Sequence, residues 1–313
     1  MSLISSRGLC MSYGARRGVI DVDLRVNEGQ IFGFLGPNGA GKSTTIRLLM
    51  GFLRAKSGEA TILGNDCWHK SHVIKRDVGY VPGDLRLYPW LTARRAFRIV
   101  SQVHGRDLSP AGEQLTGRFR LEPDLPVRKM SRGNRQKVGL VLSMIHHPKL
   151  LVLDEPTSGL DPLMQEELAE CLREYSRAGH TVFFSSHTLS EVENLCDQVA
   201  IVRNGYIVAN EQISRMKDRA PRVITVDFEE SVDPGQIEWP DFLTLKRTHR
   251  QTCILEMQGS SIEFVRWSAT QPIADLNIGP PSLEALFRGY YENTAAAKGI
   301  EDQRSSEMSE DEN

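Results

Sequence analysis

The sequence has no long hydrophobic run and no closely spaced pair of cysteines. No apolar stretch approaches the roughly 18 residues of a membrane-spanning helix, and the N-terminus lacks the apolar core of a signal peptide. The five cysteines are scattered without the spacing of a metal site, so we expect reduced structural thiols. These absences predict a cytoplasmic protein, and any role at a membrane would then require a partner protein.

An excess of charge of one sign is also missing. The 313 residues carry a formal net charge of -2, so the overall charge gives no reason to expect binding to nucleic acid. With 40% hydrophobic and 25% charged residues, the composition is typical of a globular protein that buries a sizeable core. The length indicates one large domain together with a smaller one.

The larger domain is predicted to be an α/β domain over residues 1–218. Short apolar strands alternate there with helical patterns. The strands are "QIFGFLG", "KLLVLDEP" and "HTVFFSSH", and a more helical stretch over about residues 86–147 lies between the first two. The segment "VAIVRNGYIVANE" predicts a hairpin that turns at Asn204-Gly205.

The smaller domain is predicted to be an α+β unit over residues 219–292. "RVITVDF", "QTCILEM" and "IADLNI" are strand-like, and Ser282 can cap a closing helix. One face of that helix would carry Leu283, Leu286, Phe287 and Tyr290. This stretch contains no phosphate loop, metal cluster or nucleophile constellation, so we expect a role in protein interaction. Residues 293–313 are acidic and poor in large apolar groups, and we expect them to be disordered.

The segment "GPNGAGKST" fits G-x-x-x-x-G-K-[ST] and stands between a predicted strand and a predicted helix. Its glycines let backbone N–H groups converge on an anion at the helix N-terminus. Lys42 would contact the β- and γ-phosphates, and the Ser43 hydroxyl would bind Mg²⁺. The motif predicts a nucleoside triphosphate site formed by Gly36, Pro37, Asn38, Gly39, Ala40, Gly41, Lys42, Ser43 and Thr44.

Two carboxylates and a histidine follow the next predicted strands. Asp154 ends an apolar strand, where an acid can hold Mg²⁺ through water, and Glu155 could deprotonate an attacking water. His187 ends the strand after that, and a neutral imidazole there would lie near the γ-phosphate. Taken alone, the two acids also fit a solvated turn, and a single histidine is more often structural. Their combination with Lys42 favours catalysis.

Further motifs occur in a fixed order around these residues. "MSYG" contains the aromatic Tyr13, "SGLD" ends in Asp161, and "MSRGNRQ" precedes an amphipathic helical pattern. Over residues 3–215 the set resembles the ABC family of transporter ATPases. The resemblance implies a P-loop NTPase cassette with a RecA-like core and a helical subdomain. It also implies ATP and Mg²⁺ as ligands, with Tyr13 stacked on the adenine.

The resemblance identifies "SRGN" as the family's signature motif and Asp161 as part of its D-loop. The signature residues are Ser131, Arg132, Gly133 and Asn134. In this family two cassettes pack head to tail, and each signature contacts the γ-phosphate of the ATP held by the other chain. A helix N-terminus with a hydroxyl group is chemically suited to bind an anion. Ser131 also fits an ordinary helix N-cap, and the two roles are compatible.

One position departs from the family pattern. A glutamine that reaches Mg²⁺ usually follows the strand after the Walker A helix, but "VGYVPGDLRLYP" has Gly83 at that position. Metal sensing through this side chain is therefore in question. Asp84 is a candidate substitute, because a carboxylate also suits a hard cation.

The resemblance implies the ATP-hydrolysing subunit of a transporter, working as a homodimer or heterodimer with a separate membrane permease. "PPSLEALFRGYY" is similar to the ending of drug-resistance exporters of the daunorubicin type, so we expect export from the cytoplasmic face of a membrane, without nucleic acid as a partner. The segment Leu87–Trp90 would contact the permease, although local packing explains its aromatic residues equally well.

Two other functions each fit part of the sequence. A non-transport cassette acting on nucleic acid or on the ribosome is the main alternative. The interval from Lys42 to Ser131 is too short for the coiled coil of the chromosome type, and ribosome-acting members generally carry two ATPase units in one chain. A small-molecule kinase would account for the phosphate loop but not for the signature or for His187. Transport is therefore the favoured prediction.

Overall fold

The computed structural model describes residues 2–14, 16–284 and 286–287. The predictions for Tyr290 and for the tail at 293–313 fall outside these residues. Packing divides the chain into two compact units: unit one ends at Asn210, and unit two begins at Glu211. No helix among the described residues is long and apolar enough to cross a membrane.

Unit one alternates strands with helices. The strands that begin in it are β1 (Ser2–Tyr13), β2 (Arg16–Asn27), β3 (Ile31–Leu35), β4 (Ser57–Ile62), β5 (Asn65–Asp66), β6 (Val78–Val81), β7 (Leu150–Asp154), β8 (Thr181–Ser186), β9 (Gln198–Arg203) and β10 (Tyr206–Gln212). Its helices are α1 (Lys42–Leu49), α2 (Ser71–Ile74), α3 (Ala93–His104), α4 (Ser109–Arg118), α5 (Arg132–Met144), α6 (Pro162–Arg177) and α7 (Leu189–Leu195). The three strands and the hairpin predicted from the sequence are all present.

The central sheet has the strand order β10-β9-β3-β8-β7-β6. Strand β3 pairs in parallel with β8 and β9, and β7 pairs in parallel with β8 and β6. Strands β3, β7 and β8 are buried along their whole length. Parallel strands covered on both faces are expected to be mainly apolar, and these three are, apart from Asp154 at the end of β7 and Thr181, Ser185 and Ser186 in β8. Asn204 and Gly205 have φ of 50° and 86°, which suits the tight turn between β9 and β10.

A second sheet is antiparallel and has the order β2-β1-β4-β5. The sequence patterns did not predict this sheet. Its inward side chains share one hydrophobic core with α1 and the central sheet, including Ile4, Val22, Phe34, Ile46 and Ile62, all fully buried. This shared core fixes the phosphate-loop helix between the two sheets.

The predicted helical stretch at 86–147 contains α3, α4 and α5. Thr92 caps α3 by accepting a hydrogen bond from the Arg95 N–H at 3.2 Å, and Gly105 ends the helix in the left-handed conformation. Arg118 of α4 forms ion pairs with Glu167 and Glu174 of α6. These ion pairs join the helical stretch to the helix that follows the D-loop.

Unit two is a small α+β unit. It contains α8 (Ile213–Arg219), β11 (Arg222–Phe228), β12 (Leu243–His249), β13 (Thr252–Met257), α9 (Ser261–Ser268) and β14 (Ile273–Pro281). The antiparallel sheet has the order β12-β13-β11-β14, and β12 and α9 were not predicted. Its core combines alternate residues of β11 and β13 with Phe264 of α9. After Ser282, Leu283 and Phe287 are buried and Leu286 is half-buried.

Replacement of Phe264 tests whether α9 completes the core of unit two. Phe264 is 0% exposed, whereas Ile262 on the same helix is 63% exposed. Phe264→Ala should lower the free energy of unfolding of unit two by about 3–5 kcal/mol, because it leaves a cavity. Ile262→Ala should change it by less than about 0.5 kcal/mol. Urea unfolding followed by tryptophan fluorescence measures both, because Trp239 and Trp267 pack on this core. Equal losses for the two variants would contradict this packing.

Candidate functional site

The phosphate loop, residues 36–44, joins the buried strand β3 to α1. Gly41 is the N-cap of α1 and has φ of 111°, a conformation that a side chain would strain. A Cβ atom there would also lie 3.0 Å from the Gly18 carbonyl oxygen. Because the first N–H groups of a helix lack partners within it, this end of α1 is suited to bind phosphate.

Lys42 lies at the centre of the site and is 5% exposed. Its Nζ donates hydrogen bonds to the carbonyl oxygens of Gly36 at 2.6 Å and Pro37 at 3.2 Å. The same Nζ lies 3.2 Å from Glu155 Oε1. The ammonium group is therefore held by oxygen atoms of the loop and by the carboxylate of Glu155, the residue that follows β7.

Glu155 connects Lys42 to His187. Its other carboxylate oxygen, Oε2, lies 3.4 Å from His187 Nδ1. The backbone of Glu155 has φ of 50°, which is uncommon for a residue with a side chain. The structure thus brings together Lys42, Glu155 and His187, although they belong to three separate segments of the chain.

Asp154 is 3% exposed and ends β7. Its Oδ1 accepts a hydrogen bond of 2.6 Å from the hydroxyl of Ser185 on β8, a residue that the sequence analysis did not select. Burial and, secondarily, the negative charge of Asp154 raise the pKa of Tyr80 to about 12, so this phenol stays neutral. The sequence did contain a sign of Ser185, because two serines interrupt an otherwise apolar strand in "VFFSSH".

Seven of the ten predicted nucleotide-binding residues line one open depression. It is formed by Tyr13, Gly18, Asn38, Gly39, Gly41, Lys42, Ser43, Thr44 and Glu155. Tyr13 is 43% exposed at its rim, as an aromatic side chain that is to receive a base would be. Gly36 and Pro37 contribute carbonyl oxygens to Lys42, and Ala40 is buried behind the loop.

Gly83 lies beside the acid that ends β7. A Cβ atom at Gly83 would be 3.3 Å from Asp154 Oδ2, so a longer side chain at this position would start next to that carboxylate. Asp84 is differently placed: its side chain is 72% exposed and accepts hydrogen bonds from Arg86 Nε and Nη2 at 2.9 and 2.8 Å. That Asp84 takes over the role of the missing glutamine toward Mg²⁺ stays a prediction. In that role the Asp84 carboxylate would have to break its hydrogen bonds with Arg86.

The signature residues start α5. Ser131 is the N-cap, and its hydroxyl accepts a hydrogen bond from the Asn134 N–H at 3.1 Å. Arg132 Nη2 donates to Ser158 Oγ at 2.8 Å, a contact that the sequence did not suggest. Asp161 caps α6 by accepting a hydrogen bond from the Met164 N–H at 3.0 Å. The capping role of Ser131 is confirmed, while its contact with a partner's nucleotide stays a prediction.

Gly133 packs against the D-loop of its own chain. A Cβ atom at Gly133 would lie 2.5 Å from the Gly159 carbonyl oxygen. The side chain of Arg132 covers the other side of Gly159, within 3.2 to 3.6 Å of the place where a Cβ atom would be. The absence of a side chain at position 133 thus has an explanation within one chain, in addition to any role toward phosphate.

Comparison with known proteins decides the family. The ABC transporter family profile matches residues 19–158. The bacitracin transport ATP-binding protein BcrA of Bacillus licheniformis is 34% identical over 221 residues, which are 70% of this chain and 72% of that protein. The chain belongs to the ABC transporter ATP-binding proteins. It is therefore an ATPase subunit of the transporter type, and the predictions of family, fold class and enzyme class are confirmed.

Two further comparisons agree with membership of the ABC family. The Nod factor export ATP-binding protein I of Ralstonia nicotianae is 34% identical over 212 residues, 66% of each chain. A solved structure of the ATP binding subunit of an ABC transporter is 29% identical, with a TM-score of 0.65, and the match covers 69% of this chain and 92% of that one. The roles of individual residues in the ABC subunit remain proposals.

Two glycine replacements test the contact between signature and D-loop. Gly133 and Gly117 both lie in helices, but a Cβ atom at Gly117 would meet nothing within 4 Å. Gly117→Ala should stabilise the protein by about 0.5–1 kcal/mol through helix propensity. Gly133→Ala should instead destabilise it by about 1–3 kcal/mol, because the methyl group overlaps the Gly159 carbonyl. Thermal unfolding followed by circular dichroism compares the two. A higher Tm for Gly133→Ala would disprove the contact.

Proposed function

We propose that this ABC subunit drives export by hydrolysing ATP in a dimer of cassettes that works with a separate permease. The observation that supports it most directly is the chain of contacts from Lys42 through Glu155 to His187 beside the phosphate loop. The relative named for bacitracin transport supports a role in transport, and the relative named for Nod factor export supports its direction. The dimer is either a homodimer or a heterodimer, placed at the cytoplasmic face of the membrane.

The residues around the loop fit MgATP. Mg²⁺ prefers oxygen ligands, and the exposed Ser43 hydroxyl and the Asp154 carboxylate supply them, with no side chain offered by Gly83. The ion would neutralise charge on the phosphates. Tyr13 would stack on the adenine, and the loop amides with Lys42 would hold the β- and γ-phosphates. When Lys42 binds these phosphates, its ion pair with Glu155 would break.

Glu155 then acts as the general base. Once its carboxylate no longer pairs with Lys42, it can accept a proton from the water that attacks the γ-phosphorus. His187 lies on the other side of the same carboxylate, and its imidazole would orient the γ-phosphate. The signature residues Ser131 to Asn134 of a second cassette would complete the site, and Asp161 would face that second chain in the D-loop.

Two regions are proposed to contact partner proteins. Tyr88 and Trp90 are 69% and 53% exposed, and their rings stack at 5.6 Å. They pack on each other yet keep a large aromatic surface, which is typical of an interface, and we assign it to the permease. Unit two is assigned an interaction role, in the dimer or at the permease, because it carries none of the catalytic side chains described above.

Glu155→Gln tests the general base. The amide keeps the shape of the side chain but cannot accept a proton, so kcat should fall by about 10²–10⁴-fold while ATP binding is preserved. ATP should then hold two chains together, which size-exclusion chromatography detects. The exposed Glu122, changed to Gln, is the matched control and should keep wild-type turnover. Wild-type hydrolysis by Glu155→Gln would rule out this assignment.

A mixture of two inactive chains tests the shared site. Ser131→Arg places bulk and charge at the signature, and Lys42→Ala removes the phosphate-binding ammonium. Each variant alone should be nearly inactive. In a heterodimer, one composite site keeps both the intact phosphate loop and the intact signature, so partial ATP turnover should return. A verified heterodimer without any recovery would contradict binding of the nucleotide between two chains.

A further inference from the structure

Ser185 is a fully buried serine one residue before the end of β8, a strand in the middle of the central sheet. It is 0% exposed and lies on β8, which pairs with β3 on one side and with β7 on the other. The residues before it, Val182, Phe183 and Phe184, are apolar. A hydroxyl group in such a place is costly unless it is hydrogen-bonded, so its partners indicate why a serine is present.

Both partners of this hydroxyl are acids of the candidate site. The hydroxyl donates to Asp154 Oδ1 at 2.6 Å and accepts a hydrogen bond from the Glu155 N–H at 3.1 Å. The Glu155 N–H also points to the carbonyl oxygen of Ser185, at 3.2 Å. One small side chain thus contacts the carboxylate of one acid and the backbone of the other. Because a serine hydroxyl has a single proton, that proton is committed to Asp154.

The bond to Oδ1 determines which oxygen of Asp154 faces the rest of the site. With Oδ1 occupied by Ser185, Oδ2 is the oxygen that lies toward Gly83, 3.3 Å from the position of a Cβ atom there. A carboxylate whose rotation is fixed in this way presents one oxygen to a cation. Because Gly83 offers no side chain to the cation, binding of the cation depends more strongly on the orientation of Asp154.

The bonds to the Glu155 N–H act on the second acid. Glu155 has φ of 50°, a conformation that persists in a residue with a side chain only when its surroundings impose it. The hydroxyl and carbonyl oxygens of Ser185 hold the N–H of this residue from the neighbouring strand. The direction in which the Glu155 side chain leaves the backbone, toward Lys42 and His187, depends on that backbone conformation.

We infer that Ser185 is a positioning residue for ATP hydrolysis, which orients Asp154 toward the cation and Glu155 toward the attacking water. The inference rests on the proposed function. It assigns to Ser185 no contact with substrate and no proton transfer. Loss of the hydroxyl should leave the nucleotide pocket intact and disturb the geometry of both acids.

Ser185→Ala is the decisive variant, and Ser185→Thr is its conservative counterpart. The alanine variant should lower kcat by about 10- to 100-fold and raise the Mg²⁺ concentration for half-maximal activity, as the loss of an outer hydrogen bond to a metal-site carboxylate does. Binding of ATP, measured with a fluorescent nucleotide in the presence of excess Mg²⁺, should change by less than about threefold. The threonine variant keeps a hydroxyl and should recover most of the activity and the wild-type Mg²⁺ dependence.

Ser143→Ala provides the matched control. Ser143 is 4% exposed and donates a hydrogen bond of 2.8 Å to the Leu140 carbonyl oxygen within α5. Its alanine variant therefore also loses a buried, hydrogen-bonded hydroxyl group, but one outside the candidate site. It should keep the wild-type Mg²⁺ dependence. A folded Ser185→Ala variant with wild-type kcat and Mg²⁺ dependence would overturn the inference. So would a threonine variant that folds but is as impaired as the alanine variant. Where the threonine variant does not fold, the Mg²⁺ dependence of Ser185→Ala decides alone.

Different results would contradict the proposed function and the role of Ser185. If the wild-type chain shows no Mg²⁺-dependent ATP hydrolysis, with or without a permease, the proposed function fails. If the wild type hydrolyses ATP and Ser185→Ala does so equally well with the same Mg²⁺ dependence, only the role of Ser185 fails.

Discussion

The parallel register of β3, β8 and β7 is the constraint on which the candidate site depends. Leu35 pairs with Ser186, and Asp154 pairs with Ser185, so the three strands end at the same edge of the sheet. In open α/β sheets this carboxyl edge is where ligands bind. Residues that are more than a hundred positions apart in the chain, such as Lys42 and Glu155, come within 3.2 Å there.

The polar groups at this edge satisfy one another. Lys42 is almost fully buried, and its charge is balanced by two carbonyl oxygens and the carboxylate of Glu155. Asp154 is equally buried and takes its hydrogen bond from Ser185. A buried charge is tolerated in a protein only with such partners. Each partner therefore limits how the next one can move, and a ligand that takes over one contact changes the others.

The sequence predicted much of this arrangement, and the exceptions have physical causes. Motifs such as the phosphate loop are local, so their strand, loop and helix could be recognised, as could the N-cap at Ser131. The sheet of β1, β2, β4 and β5 was missed, because β1 pairs with β2 through several register shifts that interrupt a simple alternation. Contacts of Ser185 with Asp154 and of Arg132 with Ser158 join residues far apart in the chain, and spacing alone does not reveal them.

The close approach of Gly133 to Gly159 has a mechanical consequence. Ser131 is the N-cap of α5 and Asp161 is the N-cap of α6, so the contact between Gly133 and Gly159 lies two residues from each N-cap. Gly133 and Gly159 approach each other so closely that the start of α5 has little room to slide over the loop before α6. The hydrogen bond from Arg132 to Ser158 opposes movement of the two segments away from each other. The two helix starts, each with the partial positive charge of its free N–H groups, are therefore coupled: a force on the start of α5 also acts on the start of α6.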